Sequence, residues 1–128
     1  MLRSMRLVSL LAGLTLVASF ARAHHSQAGI FDSAKNAEIT GVIKSVSWRN
    51  PHGQILLTVK DDKGATVTWS LEGGSPSALV REGWTSRTVK PGDEIKIQVK
   101  PLRSGAPGGA WEIPTTFRKD GSPLGASH

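Results

Sequence analysis

The sequence predicts an all-β fold with one short helix: a five-stranded β-barrel of the oligonucleotide/oligosaccharide-binding (OB) type. Two observations predict it. Five segments between Ile39 and Phe117 carry strand signals, the clearest of them alternating apolar and polar residues as strands with one buried face do. A single helix signal, from Ser75 to Gly83, falls between the third and fourth. The order strand–strand–strand–helix–strand–strand, with a long first strand, is that of an OB barrel whose helix plugs one end. A β-sandwich would call for about seven strands.

The first strand starts at Ile39. Odd positions lead through Ile43, whereas Val46 and Trp48 put the apolar face on even positions. Such a switch of phase requires a bulge or a sharp coil, and Gly41 eases the bend. Arg49-Asn50-Pro51-His52-Gly53 is a turn by composition. Ile55, Leu57 and Val59 then mark the second strand, and Ala65, Val67, Trp69 and Leu71 the third. Asp61-Asp62-Lys63-Gly64 between them has hairpin chemistry, with Gly64 suited to positive φ.

Ser75 is a good N-cap, Pro76 suits the first helical position, and Gly83 ends the helix. Leu79 and Val80 supply its apolar side, and Trp84 is placed to fold back on its end. After a turn at Lys90-Pro91-Gly92-Asp93 the fourth strand carries Ile95, Ile97 and Val99. Trp111, Ile113 and Phe117 share a face of the fifth. Pro114 cannot donate to a ladder, which points to an edge or a strand end.

The N-terminal residues have the build of an export signal. Arg3 and Arg6 precede an uncharged, largely apolar run of 15 residues from Leu7 to Ala21. That run is short of the roughly 20 residues a membrane-spanning helix needs. Ala21 and Ala23 fit the small-x-small pattern of signal cleavage. Residues 1–23 are therefore expected to be a cleaved signal peptide, with no membrane anchor afterwards and a periplasmic or secreted destination. Residues 24–37 read as an extended arm, residues 38–119 as the OB-like domain, and residues 120–128 as a flexible polar tail.

Cleavage removes Arg3, Arg6 and Arg22, so lysine plus arginine falls from 16 to 13 against 10 acids, a net charge of +3. An excess that small gives no reason to expect nucleic acid as a partner. The absence of cysteine rules out disulfides, thiolate metal sites and a cysteine nucleophile. No complete catalytic signature is present, and the chain is not expected to be an enzyme.

Cleavage after Ala23 also makes His24 the first residue, with a free α-amine and an imidazole on one residue. In an OB barrel, ligands meet the face of strands two and three, between the loop joining strands one and two and the loop joining four and five. Here those are residues 49–53 and 101–109. His52 lies in the first. Pro51 fixes its own φ and holds Asn50 extended, so the loop presents His52 stiffly. The 14 steps from His24 to Glu38, at about 3.3–3.6 Å each, are long enough to double back along a strand.

Together the His24 amine, the His24 ring and the His52 ring would make a T-shaped nitrogen set, a histidine brace. Such a set favours a copper ion, since Cu(II) tops the divalent affinity order and Cu(I) accepts imidazoles. His25 is a third candidate ligand. Asp32 and Glu72 are candidates to orient an imidazole from behind. The plainer readings are a simple mature terminus at His24-His25, a polar turn at His52, and a fourth histidine, His128, belonging to the tail. Trp69 and Trp111 sit at inward phases and read as core; Trp48 serves equally well as core or as a stacking surface. Lys96 and Lys100 read as a solvated strand face.

The pattern His24-His25-Ser26, Phe31-Asp32, Gly41, Asn50-Pro51-His52, Trp69, Glu72, Gly83 and Pro91-Gly92-Asp93 resembles a family of small exported bacterial proteins of unknown function. The resemblance spans essentially the whole mature chain. It implies that the His-His-Ser start and the Asn-Pro-His turn belong to one recurring pattern. The terminal histidine also resembles that of copper-brace proteins, which mostly use a sandwich fold. The expected function is accordingly an exported, non-catalytic binding protein for a copper ion. The alternative is an OB interaction module for a periplasmic protein partner, an oligosaccharide or another small ligand.

Overall fold

Five strands and one helix follow one another in the order expected: β1 (Ala37–Ser47), β2 (Gln54–Lys60), β3 (Thr66–Glu72), α1 (Pro76–Arg81), β4 (Glu94–Pro101) and β5 (Gly108–Arg118). The structure is a computed structural model and describes residues 29–124. The strands close into a barrel in the order β1-β2-β3-β5-β4. All neighbours are antiparallel except β3 and β5, which run parallel over Ser70↔Gly108, Leu71↔Gly109 and Glu72↔Ala110. This is the OB-like barrel that the element order predicts. Among the described residues no helix is long and apolar enough to cross a membrane.

β1 serves two neighbours. Its first half pairs with β4, from Ala37↔Val99 to Val42↔Glu94, and its second half with β2, from Val42↔Thr58 to Ser47↔Gln54. The register slips between Ile43 and Ser45, so the extra residue, Lys44, flips the phase as the apolar pattern requires. Ile39 and Ile43 point into the core before the slip, and Val46 packs against it afterwards. Gly41 is needed at the bend because a Cβ there would collide with the Thr58 carbonyl of β2.

The core is filled by Ile55 and Leu57 from β2, Leu71 from β3, Ile95, Ile97 and Val99 from β4, and Trp111 from β5. The hairpin between β2 and β3 turns on Gly64 at φ +79°. Ser75 caps α1 by accepting the Ala78 N–H at 3.3 Å. Gly83, at φ +80°, ends it, and the Trp84 N–H returns to the Leu79 carbonyl at 2.9 Å. Leu79 is fully buried, but Val80 is 58 % exposed. In a six-residue helix adjacent positions point about 100° apart, so only one of the two reaches the core.

Three expectations need correction. Trp111 and Phe117 do not lie on one uninterrupted strand face. The β4–β5 register passes from Gln98↔Glu112 to Lys96↔Phe117, which leaves residues 113–116 opposite Ile97 alone. Pro114 therefore sits in a bulge, one of the places in a sheet where proline is tolerated. At the end of the bulge Thr116 turns inward, fully buried, and its hydroxyl accepts the Trp111 indole N–H at 3.0 Å. Phe117 is only half-buried.

The tail is the second correction. Residues 120–124 fold back: Leu124 is buried, its N–H bonds the Thr116 carbonyl at 2.9 Å, and Pro123 bridges Phe117. The third concerns the arm. Gly29 and Ile30 are helical rather than extended. The described residues from Phe31 on form one compact unit, in which Phe31 bridges Leu102 and the Asp32 N–H bonds the Pro101 carbonyl at 2.8 Å.

Candidate functional site

His52 stands at the end of the loop between β1 and β2, and the backbone beside it is pinned from two sides. Gly53 donates to the Gly74 carbonyl, and Gly73 donates to the Gly53 carbonyl, both at 2.8 Å. These bonds extend the β2–β3 ladder one residue past Gln54↔Glu72. Gly53 is buried, and a Cβ there would come within 2.8 Å of the Leu79 side chain. The plug helix thus braces the loop from below. The Asn50–Pro51 peptide in front of His52 is cis.

The imidazole is held by its partners. Nδ1 lies 3.1 Å from the Gly73 carbonyl oxygen. A carbonyl only accepts, so Nδ1 carries the proton and Nε2 bears the lone pair in the neutral ring. Nε2 faces the Glu72 carboxylate, with Oε1 at 3.6 Å. The His52 and Glu72 side chains are 37 % and 41 % exposed, so both are open to solvent and to a ligand arriving from it.

Gly73 is fixed in turn by the core. A Cβ at this position would stand 2.5 Å from Trp111 Cε3, so the backbone lies almost directly on the indole. Trp111 meets Trp84 edge to face, with ring centroids 4.7 Å apart and planes at 71°. The carbonyl that orients His52 is therefore mounted directly on the buried Trp111–Trp84 pair. A backbone carbonyl has no side-chain signature; the only trace of it in the sequence is the Gly73-Gly74 pair directly after Glu72.

Of the residues singled out from sequence, His52 and Glu72 come together. Asp32 is committed to its own turn, accepting the Ala34 N–H at 3.2 Å and pairing with Lys35 at 3.4 Å. Trp48 and Trp69 are partly buried and pack against the core. Lys96 pairs with Glu38 at 3.0 Å, and Lys100 with Glu112 at 3.6 Å. His24, His25 and His128 lie outside the described residues. Among the described residues no three His, Cys, Asp or Glu side chains gather to hold a metal.

A family model for a family of unknown function (DUF6152) matches residues 12–111. The chain belongs to this family. The match spans β1 to β4 and the first residues of β5, and takes in His24, His25, His52 and Glu72; it ends before Thr116 and Leu124. No curated protein and no solved structure matches the chain. Family membership thus carries no activity with it, and function has to be argued from the site.

Two clefts lie away from His52. One of about 440 Å³ is lined by Thr40, Glu94 and Phe117 among others. The other, of about 670 Å³, is lined by Arg87, Val89 and Leu124 among others. Several of their cations are already matched by acids, Lys119 with Glu94 at 3.0 Å and Lys90 with Asp93 at 2.7 Å. Such exposed pairs contribute little and do not specify a ligand. The His52–Glu72 pair is the better candidate because an imidazole and a carboxylate converge there, 3.6 Å apart, at the loop between strands one and two where OB barrels meet their ligands.

Proposed function

We propose that this protein is an exported, non-catalytic metal-binding protein of the bacterial periplasm that holds a copper ion through His24 and His52. Cleavage after Ala23 would free the His24 amine, and His24 would then chelate through amine and ring together, with His25 as a candidate third ligand. The observation that carries the reading is the His52 ring, whose Nδ1 is engaged by the Gly73 carbonyl at 3.1 Å. That bond selects the tautomer with its lone pair on Nε2. An imidazole oriented through its other nitrogen is the usual condition of a histidine metal ligand. The export signal and the small-x-small site support the rest.

Metal titration of protein that begins at His24 tests the proposal. One equivalent of Cu(II) should bind. His52→Ala should weaken binding at least about 10–100-fold, the range typical of losing even a supporting contact. Adding one residue before His24 should weaken it independently, because the amine becomes an amide. Unchanged binding by His52→Ala would reduce the site to a terminal His-His chelate and favour the interaction-module reading.

A further inference from the structure

We propose that the larger cleft, the one lined by Arg87, Arg118 and Leu124, binds a small organic anion that carries a single carboxylate and an apolar body. This goes beyond the metal reading and stands without it. The volume of about 670 Å³ falls within the roughly 300–1,000 Å³ usual for small-molecule sites. Three residues of the buried core, Val89, Ile95 and Leu124, give the cleft an apolar floor.

The charges on its walls are not all matched. Four cations and three carboxylates line the cleft, an excess of one positive charge. Each carboxylate is engaged by a partner other than arginine. Asp93 accepts from the Lys90 ammonium at 2.7 Å, Glu94 pairs with Lys119 at 3.0 Å, and Asp120 accepts the Ser122 hydroxyl at 2.6 Å. Among the described residues Arg87 and Arg118 are left without an acidic partner at ion-pair distance. Lys90 and Ser122 chiefly hold the Asp93 and Asp120 carboxyls below their ordinary range, and the Arg118 charge adds to this from farther off.

Arg118 is firmly placed. It stands where β5 rejoins β4 after the bulge, opposite Ile95, and its N–H bonds the Ser122 carbonyl at 2.8 Å. One Nη1 donates to the Pro123 carbonyl at 3.3 Å, which uses one of the five N–H donors of a guanidinium. The remaining donors keep the planar fork that matches a carboxylate. Arg87 brings a second guanidinium to the same cleft from a short turn, where its N–H reaches the Thr85 hydroxyl at 3.2 Å.

The charge excess narrows the anion. One surplus positive charge is balanced by one carboxylate. A phosphate group carries about −1.5 to −2 near neutral pH, and its second charge would meet the three carboxylates already on the walls.

The test titrates protein beginning at His24 with sodium hexanoate and follows backbone and arginine side-chain NMR signals. Hexanol, acetate and inorganic phosphate are titrated alongside. Hexanoate should give saturable shifts at Val89, Ile95, Arg118 and Leu124, and each comparison compound should bind more weakly. Arg87→Gln and Arg118→Gln, both checked for native circular dichroism, should each weaken hexanoate binding about 10-fold or more, as the loss of a charged hydrogen bond does. Lys60→Gln removes the same charge outside the cleft and should change binding less than about twofold, since salt screens distant exposed charges. If Arg118→Gln loosens the returning segment, Arg87→Gln decides alone. No saturable shift, or equal weakening by Lys60→Gln, would overturn the site. Hexanol binding as tightly as hexanoate would reduce it to an apolar crevice, and phosphate doing so would overturn the single-carboxylate assignment.

Discussion

Gly73 is where the core and the candidate site meet. Its carbonyl orients His52, and its Cα leaves no room for a side chain above Trp111. Gly73→Ala would force a Cβ to 2.5 Å from the ring. Trp111 has little freedom to yield, since its N–H is bonded to buried Thr116 and its ring abuts Trp84. Overpacking of this kind costs about 1–3 kcal/mol, and the strain should move the carbonyl off Nδ1. The expected result is a lower urea midpoint together with a changed His52 ring-nitrogen spectrum by NMR. Gly74→Ala is the control. Its Cβ would meet only the Ala78 methyl, at 3.1 Å, and the His52 spectrum should keep its parent form. Sequence alone marks Glu72, with Asp32, as a candidate to orient an imidazole. It cannot tell which ring nitrogen Glu72 faces, because that depends on a backbone carbonyl and on the ring's rotation.

The turn into β4 shows how a short element is set by one carboxylate. Asp93 accepts the Lys90 backbone N–H at 2.9 Å and the Lys90 ammonium at 2.7 Å. Its own carbonyl accepts the Ile43 N–H, and Gly92 donates to the Ile43 carbonyl, both at 2.8 Å. The turn thereby locks onto β1 beside the Lys44 bulge. The Lys90 side chain, then its backbone N–H, hold the Asp93 carboxyl below its ordinary range. A carboxylate with a depressed folded-state pKa adds stability above the unfolded value, near about 3.9, and loses it as pH falls through the folded value. The melting-temperature gap between the parent and Asp93→Asn should therefore be level from about pH 5 to 8 and narrow below about pH 4. A gap that stays constant into acid would show that the carboxylate's charge contributes nothing. The same comparison of elements separates two bulges. The one at Lys44 is legible because the apolar phase visibly switches from odd to even positions. The one over residues 113–116 is hidden because Trp111, Ile113 and Phe117 fit an unbroken strand, with only Pro114 hinting otherwise.

Closing the barrel takes few contacts, so the ends of the molecule carry more weight than their composition implies. β3 and β5 join over three residue pairs, and buried side chains from α1 and the returning C-terminal segment add to the core. Leu79 of α1 packs under Gly53, beside the His52 loop. Leu124 joins the same buried core as Val89 and Ile95, and all three line one cleft. From sequence the segment after Asp120 reads as tail, since one leucine among small and polar residues has no period to recognise. Its burial follows instead from the bulge, which turns Thr116 inward and offers its carbonyl to the Leu124 N–H at 2.9 Å. Leu124→Ala should then behave as a core truncation and cost about 2–5 kcal/mol, read as a lower urea midpoint with an unchanged slope. Val80→Ala, at an exposed position of α1, should stay within about 0.5 kcal/mol of the parent. If Leu124→Ala were as stable as Val80→Ala, the returning segment would be frayed in solution and that end of the barrel open. Because Leu124 lies outside the stretch that carries His52 and Glu72, its loss should lower stability while leaving the metal affinity of the folded protein unchanged.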